Sequence, residues 1–178
     1  GMTMIISKGK TVLVADTNVT ELPSADRLVN ISKSCVRIAK LFGFDPKVAF
    51  LSHSTFGKPI SRNTRHVREA IEILKEQKVD FYFDGEMQPD VALNPIYQEI
   101  YPFSKIVGKA NILIMPALHS AAISTKLMKV FGGGKNIGPL LIGLGQPIEV
   151  APLRATTSEI LNLASIASYS SDVIDYSN

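Results

Sequence analysis

The chain has 178 residues, 46% hydrophobic and 20% charged, the balance of one folded domain with its own core rather than a disordered or fibrous segment. A net charge of +3 without a basic stripe interleaved with aromatics argues against nucleic acid, and no apolar run reaches the ~20 residues of a membrane span. A single cysteine, Cys35, excludes a disulfide framework or a cysteine metal site, and His53, His66 and His119 are too scattered for a metal motif. No signal peptide is legible, so the cytoplasm is the expected compartment. Gly1 before Met2 reads as a tag remnant. The expected domain is then 2–178, and a strand at its very start suits a piece of something longer.

Met4–Ile6 and Thr11–Ala15 predict two β runs around a Lys8-Gly9-Lys10 turn, a hairpin. Pro23-Ser24 opens a helix in which Leu28, Ile31, Cys35, Ile38 and Phe42 recur at three and four, and Gly43 stops it. Lys47–Leu51 predicts a short buried strand leading into the loop SHSTFGKP, 52–59. The next helix runs from about Thr64 to Gln77, with Val67, Ile71 and Leu74 inward. Arg62, Arg65, His66 and Arg68 stand at its start, against the helix dipole, where a bound anion or solvent would relieve the repulsion. Val79–Phe83 predicts a third strand, Asp90–Ile100 a helix and Ala110–Met115 a fourth strand ended by Pro116. Ser120–Phe131 predicts a helix stopped by Gly132, Gly133 and Gly134, followed by short β runs at Leu140–Ile142 and Ile148–Val150. Thr156 starts the last helix, with Ile160, Leu163, Ala164 and Ala167 on one face, and the polar tail from Ser170 is expected to fray. Alternating strands and helices predict a three-layer αβα domain around a largely parallel, mixed sheet.

The most concentrated chemistry is FDGEMQPDVAL, 83–93. Asp84, Glu86, Gln88 and Asp90 crowd onto a predicted turn marked by Gly85 and Pro89. It reads either as a solvated acidic loop or as a ligand site at a strand's end. The 52–59 loop brings Ser52, Ser54 and Thr55 between a strand and a helix, as a phosphate cradle does and as an ordinary connection also does. It lacks the glycine spacing and the Lys-Ser/Thr ending of a P-loop. Gly132–Lys135 follows a helix and is first a C-cap, and Gly138-Pro139 reads as a tight turn. Thr156 and Glu159 have capping-box spacing. Arg154 is either a planar fork for a phosphate or carboxylate, or an exposed loop charge. His119 has no carboxylate partner close in sequence.

Taken in order, FLSHSTFG at 50–57, DGEMQPDVAL at 84–93, KANILIMP at 109–116 and IGPLLIGLGQPIEV at 137–150 resemble the phosphate acetyl/butyryl transferase family. The resemblance covers residues 4–169 and matches the later portion of the family's transferase unit. It implies the isocitrate/isopropylmalate dehydrogenase-like fold of the phosphotransacetylases. LFGFDPKVAFLSHSTFG and MPALHSAAISTKLMKVFGG look like the version found as a C-terminal domain of large bacterial malic enzymes, of alphaproteobacterial type. That likeness implies a parent chain that oxidatively decarboxylates malate with NAD(P) and a divalent metal, Mg or Mn, none of it bound by these residues. It also implies malic-enzyme domains of the same parent chain as partners, a homo-oligomer, and acetyl-CoA or another acyl-CoA as the ligand.

Active transferases of the family carry Ser-Arg-Gly shortly before the last helix and an Asp before its Ile-Val. Aligned on Ile160, Glu159 takes the Asp position, Pro152 and Leu153 fall on the Ser and Arg, and Arg154 falls on the Gly. Ala117 and Ala122 replace a family Asp and Asn. The resemblance therefore implies Ser52, Ser54, Thr55, Gly138, Pro139 and Arg154 as ligand-binding residues, and Arg154 and Glu159 as catalytic vestiges. It predicts recognition of an acyl-CoA without turnover, against the alternatives of a working transferase or a purely structural assembly domain.

Overall fold

The computed structural model describes residues 1–173. β1 (Met2–Ser7) and β2 (Lys10–Ala15) form the predicted hairpin. Lys8 and Gly9 both take positive φ, the backbone a two-residue hairpin turn requires. Ser24 caps α1 (Ala25–Leu41) by accepting the Arg27 N–H at 3.2 Å, and the chain then enters β3 (Lys47–Leu51) and α2 (Arg65–Glu76). β4 (Tyr82–Met87), α3 (Pro89–Leu93), β5 (Ile112–Ile114) and α4 (Leu118–Phe131) follow. β6 (Lys135–Leu141), β7 (Ile148–Glu149) and α5 (Thr157–Val173) complete the order.

The strands make one sheet in the order β4-β3-β5-β2-β1-β6-β7. β2, β3, β4, β5 and β6 point the same way, with β1 and β7 reversed. One face of the sheet buries Leu28, Cys35 and Ala39 of α1, Val67, Ile71 and Leu74 of α2, and Leu163 of α5 around Phe50 and Ile112. The other buries Ala92 of α3 and Ala121 of α4 against Val14, Ala49 and Leu113. These are the three αβα layers that the alternating pattern requires. The carboxyl ends of β3, β5 and β2 lie side by side, where chain crossovers on opposite faces leave room for a ligand. Among the described residues, no helix is long and apolar enough to cross a membrane.

Four expectations need correction. β4 does not end at Phe83 but continues through Asp84, Gly85 and Glu86, so the acidic stretch is strand rather than turn. The helix expected over 90–100 stops at Leu93, because Pro95 cannot supply an N–H and disfavours helix at Asn94; a short 3-10 turn, Pro95–Gln98, replaces it. β6 begins at Lys135, so Gly138-Pro139 lies inside the strand. Its ladder to β1 slips between Met2 and Met4, the one place where a residue without an N–H is tolerated, and a Cβ on Gly138 would sit 2.9 Å from the Met2 carbonyl. On α5 Leu163 is buried as expected but Ile160 and Ala164 face out, and Ile166 takes their place against the core. Of the polar tail, residues 170–173 continue α5 and residues 174–178 lie outside the described residues.

At the sheet edge, Glu149 of β7 is partly buried beside Leu141, whose N–H it accepts at 3.3 Å. Burial pushes its carboxyl up to about 7, above its ordinary value of 4.5. The folded state therefore holds a proton that the unfolded state has released, and the stability this contributes is complete below about pH 4.5 and lost as pH rises through about 7. Between about pH 5 and about pH 8 the unfolding free energy should fall by about 1–2 kcal/mol after allowance for solvent screening. Urea titrations of Glu149→Gln should lack this slope; an unchanged slope would assign it to another group.

Candidate functional site

Glu86 is 1% exposed, and a carboxylate so buried needs its charge and lone pairs met. Arg68 of α2 donates through Nη1 to both Glu86 oxygens at 3.1 Å. The same guanidinium donates to Thr64 Oγ1 at 2.7 Å and to the Ser61 carbonyl at 2.9 Å. Ser54 donates its hydroxyl to Glu86 Oε1 at 2.5 Å, and Ser52 lies 3.0 Å from Ser54 Oγ. Phe56 N–H donates to the Glu86 carbonyl at 2.7 Å, Gln88 N–H to Thr55 Oγ1 at 3.2 Å, and the Gln88 amide to the His53 carbonyl at 2.7 Å. Asp84 accepts the Lys105 N–H at 2.7 Å. The acidic stretch and the hydroxyl loop therefore clamp each other.

Two other groups at the start of α2 also find partners within the chain. Arg65 pairs with Glu69 at 2.6 Å, and His66 Nε2 donates to the Pro116 carbonyl at 2.9 Å. Ser52, Ser54 and Thr55 are buried and turned toward Glu86 and Gln88. Gly85 permits this arrangement, since its φ of +145° is a glycine conformation and a Cβ there would sit 2.6 Å from the Phe50 carbonyl.

A cleft of about 310 Å³ opens further along the same edge of the sheet, between α4 and the start of α5. Thr3 and Thr17, hydroxyls 2.9 Å apart, line it together with Asn136, Gly138, Pro139 and Pro152. Lys126 and Lys129 line its α4 wall, and Glu159 stands at the opposite side. Glu159 Oε2 accepts both the Thr156 N–H at 2.8 Å and the Thr156 hydroxyl at 3.0 Å, while its own N–H donates to Thr156 Oγ1 at 3.2 Å. This is the capping box that its spacing predicted. The Thr156 N–H holds the Glu159 carboxyl below its ordinary value, helped by the Thr156 hydroxyl and by Lys129.

The residues singled out in the sequence thus fall into three places. Gly138, Pro139 and Glu159 share the cleft; Ser52, Ser54 and Thr55 share the clamp; Arg154 is exposed on the turn before α5 and does not line the cleft. Lys126, Lys129, Thr3 and Thr17 were not foreseen. The lysines have a readable signal, because they fall one turn apart on the helix face of Ala122 and Thr125. The threonines have none, since only the hairpin register brings 3 and 17 together.

Arg68→Ala should destabilise the fold by about 3–5 kcal/mol, because it strands a buried carboxylate, whereas Glu86→Gln should cost about 2 kcal/mol. In chemical denaturation the double variant should be more stable than Arg68→Ala alone; strict additivity would mean that the pair is not coupled.

Residues 1–168 match the family described as phosphate acetyl/butaryl transferase. The chain is 47% identical to an NADP-dependent malic enzyme of Rhizobium meliloti over 95% of its own length and 22% of that protein's. It is 33% identical to a phosphate acetyltransferase of Bacillus subtilis, over 91% of this chain and 51% of that protein. A phosphotransacetylase from Streptococcus pyogenes superposes with a TM-score of 0.90 at 31% identity, covering 97% of this chain and 54% of the other. The chain thus spans about a fifth of the malic enzyme and about half of the transferase it matches. With nearly its whole length accounted for by one family and the same three-layer fold, the chain belongs to the phosphate acetyl/butaryl transferase family.

Proposed function

We propose that residues 2–178 form the phosphotransacetylase-like domain of a longer cytoplasmic malic enzyme, binding an acyl-CoA as a regulatory ligand without transferring its acyl group. The observation that carries this reading is the state of Glu159, the one carboxylate that lines the cleft among the described residues. Glu159 already accepts two hydrogen bonds from Thr156, and at the position of the family's serine the cleft is lined by Pro152, which has no hydroxyl. Acyl transfer to phosphate needs a base for the thiol and charge stabilisation at the carbonyl. A cleft with its carboxylate occupied and its arginine outside supports binding more than turnover. A ligand that binds one state of the parent better than another shifts its activity, which is what regulation requires.

The parent reaction would be oxidative decarboxylation of malate to pyruvate. Among the described residues no three His, Cys, Asp or Glu side chains come together as a metal site. The divalent metal and NAD(P) of that reaction would be held by the other domains of the parent.

Self-association has its own support. Ile123, Leu127, Val130 and Phe131 form one face of α4, each 52–83% exposed. An apolar stripe of this kind marks an interaction surface, and a second copy of the chain would cover it symmetrically. Sedimentation should therefore find a dimer or larger, and Leu127→Glu with Val130→Glu should shift it to monomer with the fold intact. A monomeric wild type would remove the assembly role.

Acetyl-CoA at a hundredfold excess over its Kd should raise stability by about 2.7 kcal/mol, a rise in Tm of roughly 5–10 °C. Incubation with acetyl-CoA and phosphate should yield no acetyl phosphate. Sustained acetyl phosphate formation would make the chain a working transferase. No shift in Tm, with no turnover, would leave assembly as its role. In the full-length parent, malate-dependent reduction of NAD(P) should respond saturably to acetyl-CoA and lose that response when this domain is deleted.

A further inference from the structure

We propose that Lys10 and Lys109 form an anion site at the starts of β2 and β5, which takes a diphosphate group between their ammonium groups. The site is separate from the cleft and does not rest on the acyl-CoA reading.

β2 and β5 run parallel with Leu13 level with Ile112, so Lys10 and Lys109 each stand three residues before that pair. Both are exposed. Their ammonium groups come close enough that Lys10 holds Lys109 below its ordinary value. Among the described residues neither lysine forms an ion pair with a carboxylate. Like charges side by side on neighbouring strands are destabilising, so the fold carries a cost here that none of the described carboxylates offsets. Lys8 adds a third cation at the tip of the same hairpin, where it and Gly9 take positive φ. A bound anion turns the repulsion into charge-assisted contacts, which are the strong ones. Neighbouring strands lie about 4.8 Å apart, a span that the two phosphoryl groups of one diphosphate can bridge, each meeting one ammonium group. Lysine suits this task, because a compact charge on a flexible stem binds phosphate without the planar pairing that arginine imposes. β2 runs from Lys10 to Ala15, and Thr17 of the cleft follows it. About 20 Å of extended chain therefore separates the start of the strand from that part of the cleft.

The test is calorimetric titration of the 178-residue chain with sodium pyrophosphate and with ADP, at constant ionic strength. Wild type should bind one equivalent of pyrophosphate. Lys10→Gln/Lys109→Gln should weaken that binding by about tenfold or more. Without the anion this variant should melt no lower than wild type, since the repulsion is gone. Lys126→Gln/Lys129→Gln, altered in the cleft, should bind pyrophosphate as wild type does. Matching losses of ADP and pyrophosphate in the Lys10/Lys109 variant would support the site with a nucleoside diphosphate as its occupant; loss of pyrophosphate alone would support it with an inorganic one. No saturable heat in the wild type, undiminished affinity or a lower melting temperature in the Lys10/Lys109 variant, or a loss confined to the cleft variant would each overturn the site. None of these results bears on acyl-CoA binding, which the acetyl-CoA melting shift tests by itself.

Discussion

Burying a carboxylate against the protein interior costs several kcal/mol unless a cation and hydrogen-bond donors meet it. At Glu86 they do, and much of the surrounding structure follows from that requirement. Arg68 must leave the α2 surface and reach β4, which brings Ser61 and Thr64 with it. Ser54 must turn its hydroxyl inward, which orders Ser52 and Thr55 behind it. The loop after β3, the start of α2 and the edge strand are held as one unit because each supplies part of a single ion's surroundings. Residues that look available for a ligand when taken singly are committed to the fold when taken together.

The cleft arises from topology. β1 and β6 are antiparallel neighbours whose pairing slips at Met2–Met4, opposite Gly138 and Pro139. The slip falls where α4 leaves the end of β5 and α5 begins. A glycine that admits close backbone approach and a proline that makes no ladder bond thus mark the floor of an opening, not a surface turn. The capping box of α5 forms the opposite side, so the group that starts the last helix also sets the electrostatics of the cleft.

α4 serves two purposes on different faces. Ala121 packs on the sheet and Thr125 returns its hydroxyl to the Ala121 carbonyl at 2.7 Å, while the neighbouring Lys126 and Lys129 line the cleft. Its remaining face is the exposed stripe of Ile123, Leu127, Val130 and Phe131. One helix thereby couples a proposed ligand site to a proposed contact between copies, a short physical path for binding to influence assembly.

Much of the fold was legible from local rules. Hydrophobic spacing located α1 and α2; Gly132–Gly134 marked the end of α4; Lys8-Gly9 located the hairpin; Thr156 and Glu159 declared the start of α5. These signals act within a few residues, so one sequence suffices to read them. The acidic stretch was misread because a polar strand is indistinguishable from a polar turn until its partners are known, and Arg68 and Ser54 lie 18 and 32 residues away. For the same reason the sequence does not show that Gly138, Pro139 and Glu159 share the cleft while Ser52, Ser54 and Thr55 share the clamp. The element order, the family and the caps of α1 and α5 are written in local pattern and can be read from the residues alone. Which charges are consumed by the fold and which face a cleft depends on distances between residues remote in the chain, and those exist once the sheet and helices have packed.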